Sequence, residues 1–161
     1  MPEQRALDPD DISDIYRRHV NTVYRVCFVY LKNPSDAEDA VQSTFIKLIE
    51  HKKSFQNSEH EKAWLIVTAS NHCKDMLRHW WRKTAPIDET AAAPAAFEID
   101  ETLQKVLGLP EKIKAAVYLY YYEGYSTVEI ARMLKKSQST VRGYLHTGRE
   151  QLRLTLGGDE K

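Results

Sequence analysis

Glycine and proline are scarce in this chain, six of each among 161 residues, and cysteine is scarcer, with two. The first shortage excludes collagen-like and low-complexity chains, and with 42% hydrophobic residues it points to folded, helical material. Two cysteines are too few for a disulfide framework. Cys27 and Cys73 also fall inside apolar helical patterns and read as free, buried thiols. Long apolar runs are missing: none nears the roughly 18–20 residues of a membrane span. The opening "MPEQRALDPDD" lacks the basic and then apolar pattern of a secretory signal. A cytoplasmic protein without a membrane span is expected, built as one ordinary domain or two small ones.

An excess of either charge is lacking too, since 23 basic residues balance 23 acidic ones. The balance is not uniform along the chain. Residues 84–110 carry one basic and five acidic side chains, whereas residues 111–156 carry eight basic and four acidic. An acidic middle therefore hides a basic C-terminal segment, and a phosphate backbone responds to that local field. The acidic stretch "TAPIDETAAAPAAFEID" is rich in Ala and Pro and has no apolar stripe of helical period. It predicts a flexible linker over 84–99, which at full extension reaches about 50–58 Å. The expected architecture is all-α: a helical domain over 1–83, the linker, and a second helical domain over 100–161.

Apolar spacing predicts three helices before the linker. The first covers about 10–31 with Ile12, Ile15, Tyr16, His19, Val23, Val26, Cys27 and Tyr30 on its inner face. The second restarts after Pro34, with Ser35 and Glu38 forming a capping box and Val41, Thr44, Phe45 and Leu48 as the buried stripe. The third, roughly 59–82, buries Leu65, Ala69, Cys73, Met76 and Trp80. Asn71, Asp75, Arg78 and Arg82 recur on another face, with Lys74 beside them, and could follow a nucleic-acid backbone.

After the linker, "LPEKIKAAVYLYYYEGYS" predicts a helix that starts near Pro110, turns Ile113, Ala116, Val117, Tyr120 and Tyr121 inward, and closes at Gly124. Ser126 and Glu129 form a capping box for a short helix burying Val128, Ile130, Ala131 and Leu134. Ser137 caps the next helix, whose inner stripe is Val141, Leu145, Gly148, Leu152 and Leu156. Its outer face carries Gln138, Ser139, Arg142, His146, Arg149 and Arg153. The pair is a helix-turn-helix, with its second helix able to enter a major groove of about 12 Å. Gln138 and Arg142 suit bidentate base contacts; Ser139, Thr140 and Arg149 suit phosphates.

The order of "DAEDAVQSTFIKL", "AWLIVTASNHCKDMLR", "LPEKIKAAVYLYYYEGYSTVEIARML" and "STVRGYLHTGREQLR" resembles the extracytoplasmic-function sigma factors, the smallest class of bacterial RNA polymerase specificity subunits. The resemblance implies a non-enzymatic initiation factor, without cofactor or metal, that brings core RNA polymerase to promoter DNA and helps open the minus-10 element. It implies core-polymerase contacts at Asp36, Glu38, Asp39 and Gln42, with helix capping as their ordinary role. Minus-10 contacts fall on Lys62, Asn71, Lys74, Asp75 and Arg78, next to a base-capturing loop "KKSFQNSEHEK". Minus-35 contacts fall on Gln138, Ser139, Thr140, Arg142, Tyr144, His146 and Arg149, in a domain that also touches the polymerase flap. An anti-sigma factor is the further partner implied.

The chain departs from the family pattern at Lys135, often Gly, at Lys136, usually apolar, and at Tyr144 and Thr147, frequently Arg. Trp80 and Trp81 invite a strand-separating role, but their place at the end of the third helix favours packing. Two other classes stay open. A one-component regulator would carry the same helix-turn-helix and bind its operator unaided, usually as a dimer. A metal enzyme would have to use His19, Cys27, His72 and Cys73, although His72 and Cys73 are adjacent and point about 100° apart on a helix, and no HExxH or paired CxxC is present.

Overall fold

A computed structural model describes residues 7–51, 54–80 and 99–155. The chain divides into two compact units, Met1–Phe97 and Glu98–Lys161. Among the described residues every regular element is a helix: α1 Pro9–Leu31, α2 Pro34–His51 and α3 Ser58–Trp80 in the first unit, then α4 Glu101–Leu107, α5 Glu111–Tyr121, α6 Thr127–Leu134 and α7 Gln138–Thr155 in the second.

In the N-terminal unit α1, α2 and α3 each pack against the other two. Asp8 and Asp11 exchange side-chain and backbone bonds to make a capping box, with Pro9 at the first turn, where its missing N–H costs nothing. The last six residues of α1, Val26 to Leu31, are all buried, so this end of the helix is covered on every side. Val41, Thr44, Phe45 and Leu48 of α2 and Leu65, Ala69 and Cys73 of α3 close the core as the spacing predicts. Met76 is only half-buried. The α2 cap is corrected: Asn33 accepts the Asp36 N–H at 3.1 Å, and Ser35 lies inside the helix behind Pro34. Tyr16 is also corrected, being 46% exposed while its ring meets Phe45 edge-on.

The C-terminal unit contains a helix the apolar spacing does not reveal. α4 has seven residues, too short to show a period, and is set by Asp100, whose carboxylate accepts the Leu103 N–H at 2.7 Å. In α5 the inward tyrosine is Tyr118, with Leu119 beside it. Tyr120 and Tyr121 are 38% and 50% exposed, contrary to the expected stripe. Val128 is likewise exposed, at 49%, while Ile130, Ala131 and Leu134 are buried. Gly148 is where α7 crosses α5: a Cβ there would come within 2.6 Å of Val117 Cγ2. The linker, apart from Ile99, lies outside the described residues, as do Trp81, Arg82, Leu156 and the side chain of Trp80.

Candidate nucleic-acid interface

The first helix of the helix-turn-helix is fixed at both ends. Ser126 Oγ accepts the Glu129 N–H at 3.1 Å and Glu129 Oε1 accepts the Ser126 N–H at 2.9 Å, the reciprocal box expected for α6. These bonds hold the Glu129 carboxyl below its ordinary range. At the other end Lys135 takes a left-handed conformation, φ 56°, and the Lys136 N–H reaches back to the Ala131 carbonyl at 2.9 Å. Lysine thus fills a place where glycine is cheaper, because the carbonyls of α6 need closing before α7 starts. Ser137 then accepts the Thr140 N–H at 3.1 Å and caps α7.

Around the axis of α7, at about 100° per residue, Gln138, Ser139, Arg142, His146, Arg149 and Arg153 fall on one exposed face. Val141, Leu145 and Gly148 occupy the buried side, and Leu152 is half-buried. Two residues expected at the DNA stand apart from that face. Thr140 faces Ser137 and accepts its hydroxyl proton at 2.8 Å, and Tyr144 turns toward Pro110, Glu111 and Ile113 at the start of α5. Two exposed side chains are held from the neighbouring helices: Gln138 Nε2 donates to Thr127 Oγ1 at 2.9 Å, and an Arg149 N–H donates to the Tyr121 hydroxyl at 3.2 Å. Arg142 has no ion pair among the described residues. The face is therefore cationic and led by an amide and a guanidinium, the two side-chain types that read base edges best.

In the N-terminal unit Asn71, Lys74, Asp75 and Arg78 share the outward face of α3, and Asp75 pairs with Arg78 one turn on. Lys62 does not join them. Nine residues before Asn71, it lies about half a turn round the helix and roughly 13 Å along it. Near the start of α3, an aromatic group frames the end of α2. There His51 stacks on Phe55 at 5.1 Å, and Trp64 closes over both, 4.8 Å from His51 and 5.7 Å from Phe55. On α2, Glu38, Asp39 and Gln42 are exposed on one face, while Asp36 is half-buried at its edge. Burial and then the Asp39 charge raise the Asp36 carboxyl above its ordinary value.

Several residues of these surfaces escaped the sequence reading. Ile46 and Ile49, each 54% exposed, continue the face of Asp39 and Gln42 and make it amphipathic. Their signal was present as apolar residues off the buried stripe. Glu61 had none: it is buried, and its Oε1 takes bonds from Arg18 Nε at 3.1 Å, Arg18 Nη2 at 2.9 Å and His19 Nε2 at 2.9 Å. This ties α1 to the first turn of α3. His72 of α3 is kept below its ordinary pKa by burial and by the Lys47 charge. Cys27 and Cys73 are buried, and among the described residues no group of His, Cys, Asp and Glu is placed to hold a metal ion. No described helix is long and apolar enough to cross a membrane.

Comparison with known proteins agrees with this division. Residues 15–83 match the family Sigma-70 region 2, and residues 99–152 match Sigma-70, region 4. The chain is 29% identical to the extracytoplasmic-function sigma factor SigW of Bacillus subtilis over 92% of its own length and 90% of SigW. It is 33% identical to SigE of Mycolicibacterium smegmatis, over 94% of this chain and 63% of that one. The fold is like that of RpoE in its complex with the anti-sigma factor NepR from Bartonella quintana, with a TM-score of 0.78 at 20% identity over 94% of this chain and 99% of RpoE. A one-component regulator is not favoured, because both sigma regions are present in order. The chain belongs to the extracytoplasmic-function sigma factors, which direct core RNA polymerase to promoter DNA.

Proposed function

We propose that the two domains, 1–83 and 100–161 on either side of the 84–99 linker, divide promoter recognition between them. The C-terminal domain reads the minus-35 element through Gln138 and Arg142 at base edges, with Ser139, His146 and Arg149 on the flanking backbone. The N-terminal domain captures the minus-10 element with Asn71, Lys74, Asp75 and Arg78 and helps hold it open. Glu38, Asp39, Gln42, Ile46 and Ile49 form the face for core polymerase, with Asp36 at its rim. The observation that carries this reading is the capped helix-turn-helix whose second helix leads with exposed Gln138 and Arg142 on a cationic face. Each domain alone binds weakly, and attachment of both to one polymerase supplies the effective concentration that makes recognition strong.

In this reading the protein works in the cytoplasm, carries out no chemistry of its own, and is held inactive by an anti-sigma factor, the kind of partner with which RpoE was solved. The test is transcription in vitro, with bacterial core polymerase and a pool of promoter fragments, in the presence and absence of this protein. New start sites sharing an upstream and a downstream element are expected. Arg142→Ala should then relax one upstream base by about 1–3 kcal/mol, while Arg149→Ala weakens all sequences alike. Tight DNA binding without core-dependent initiation would defeat the proposal.

A further inference from the structure

Gln138 is the first residue of α7 and the most forward side chain of its exposed face, yet its carboxamide is not free to turn. Nε2 donates to Thr127 Oγ1 at 2.9 Å. Thr127 is itself fixed, as the first residue of α6, held by the Ser126–Glu129 box in front and by buried Ile130, Ala131 and Leu134 behind. A hydroxyl anchored on one helix therefore sets the plane of an amide that leads the next.

The chemistry of the amide makes that placement consequential. A primary carboxamide offers two N–H donors and one carbonyl acceptor. Bidentate contact with the major-groove edge of adenine uses the oxygen, for the N6 amino group, and one N–H, for N7. The second N–H is spare, and here it is the one Thr127 engages. Turned over, the amide would offer its oxygen to the Thr127 hydroxyl and both N–H groups outward, a pattern that suits the two acceptors of guanine instead. The arrangement in which Nε2 donates to Thr127 leaves the adenine pattern facing outward.

We propose that Thr127 is a positioning residue that fixes the Gln138 carboxamide for the major-groove edge of an adenine in the upstream promoter element. This rests on the reading of α7 as the upstream recognition helix. Thr127 touches no base in this arrangement. It removes the rotational freedom that a lone glutamine would lose on binding.

The experiment uses holoenzyme, core polymerase with the full chain, transcribing a template library randomised across the upstream element, with each variant's folding checked by thermal unfolding. Wild type should prefer adenine at one position by about tenfold, the order of one good bidentate contact. Thr127→Val, which keeps the shape and loses the hydroxyl, should cut that preference to about twofold at that position alone, on the same scale. Thr127→Ser should restore it. Gln138→Ala should abolish it, and Thr127→Val should then add nothing. A preference for guanine, an unchanged preference in Thr127→Val, or a loss spread evenly over the element would overturn the proposal. If wild type and Arg142→Ala both show no upstream preference at all, α7 is not the recognition helix, and the proposal falls with that reading rather than by itself.

Discussion

The two units keep a polar helix face in place by different means. In the N-terminal unit α1 and α3, each 23 residues long, are held by a continuous core and by the buried Glu61 carboxylate that joins them. In the C-terminal unit the helices are shorter, and Asp100, the Ser126–Glu129 box, left-handed Lys135 and Ser137 set where they begin and end. Long helices draw their stability from packing, so one end can be left to a single side chain; an eight-residue helix such as α6 depends on its caps. The faces differ in charge as well. Asp75 sits against Arg78 on α3, whereas α7 leads with Arg142, which has no ion pair among the described residues. A paired face discriminates by shape and hydrogen bonding, and an unbalanced one adds attraction for any phosphate backbone.

Glu61→Ala should break this contrast at its strongest point. It leaves the His19 imidazole, 6% exposed, without its partner and frees the half-exposed Arg18. About 3 kcal/mol should be lost from the N-terminal unit, the low end for a broken buried pair because Arg18 is partly in solvent. Amide hydrogen exchange resolved by helix reads this as weaker protection in α1 and α3 with α4–α7 unchanged; equal loss in both units would show that they do not fold independently. Gly148→Val sharpens the contrast from the other side. Its side chain has to enter the space held by Val117 and Ile113, at 2.6 and 3.2 Å from the Cβ position, so about 2 kcal/mol should go from α5 and α7 while the N-terminal unit keeps its protection.

Ser126→Ala is the smallest of the three, about 1 kcal/mol from loss of the α6 cap, read by the same exchange in α6. Its partner gives the cap a pH dependence. The folded-state pKa of Glu129 lies below the ordinary 4.5, so its contribution is complete above the unfolded value and disappears as pH falls through the folded one. The wild-type protein should lose protection in α6 over that acid window, and Glu129→Gln should flatten the loss. An unchanged acid profile in Glu129→Gln would assign the acid sensitivity to another carboxylate.

Much of this was legible in the chain. Helix positions followed the 3.6-residue apolar period, and the caps of α6 and α7 followed from Ser126, Glu129 and Ser137, because both signals are local. Errors arose where a helix face is wide or its surroundings are shared. Tyr120 and Tyr121 fit an inward stripe by spacing, but at the end of α5 that stripe runs into solvent, and Tyr118 is the buried tyrosine. Tyr144, expected at the DNA from the resemblance, lines a hollow with Pro110, Glu111 and Ile113 at the start of α5. Lys62, expected at the minus-10 element from the resemblance, lies on another side of α3 from Asn71, Asp75 and Arg78.

By itself the sequence determined an all-helical chain in two parts, a basic C-terminal segment masked by an acidic middle, and the residues that lead the second helix of the helix-turn-helix. These depend on composition, period and capping, which act over a few residues. Tertiary structure alone decided that Glu61 would be buried against His19, that Ile46 and Ile49 would stay in solvent, and that Thr127 would hold the amide of Gln138. Each of these depends on which helix lies beside which and at what rotation, and that is fixed only when the cores close.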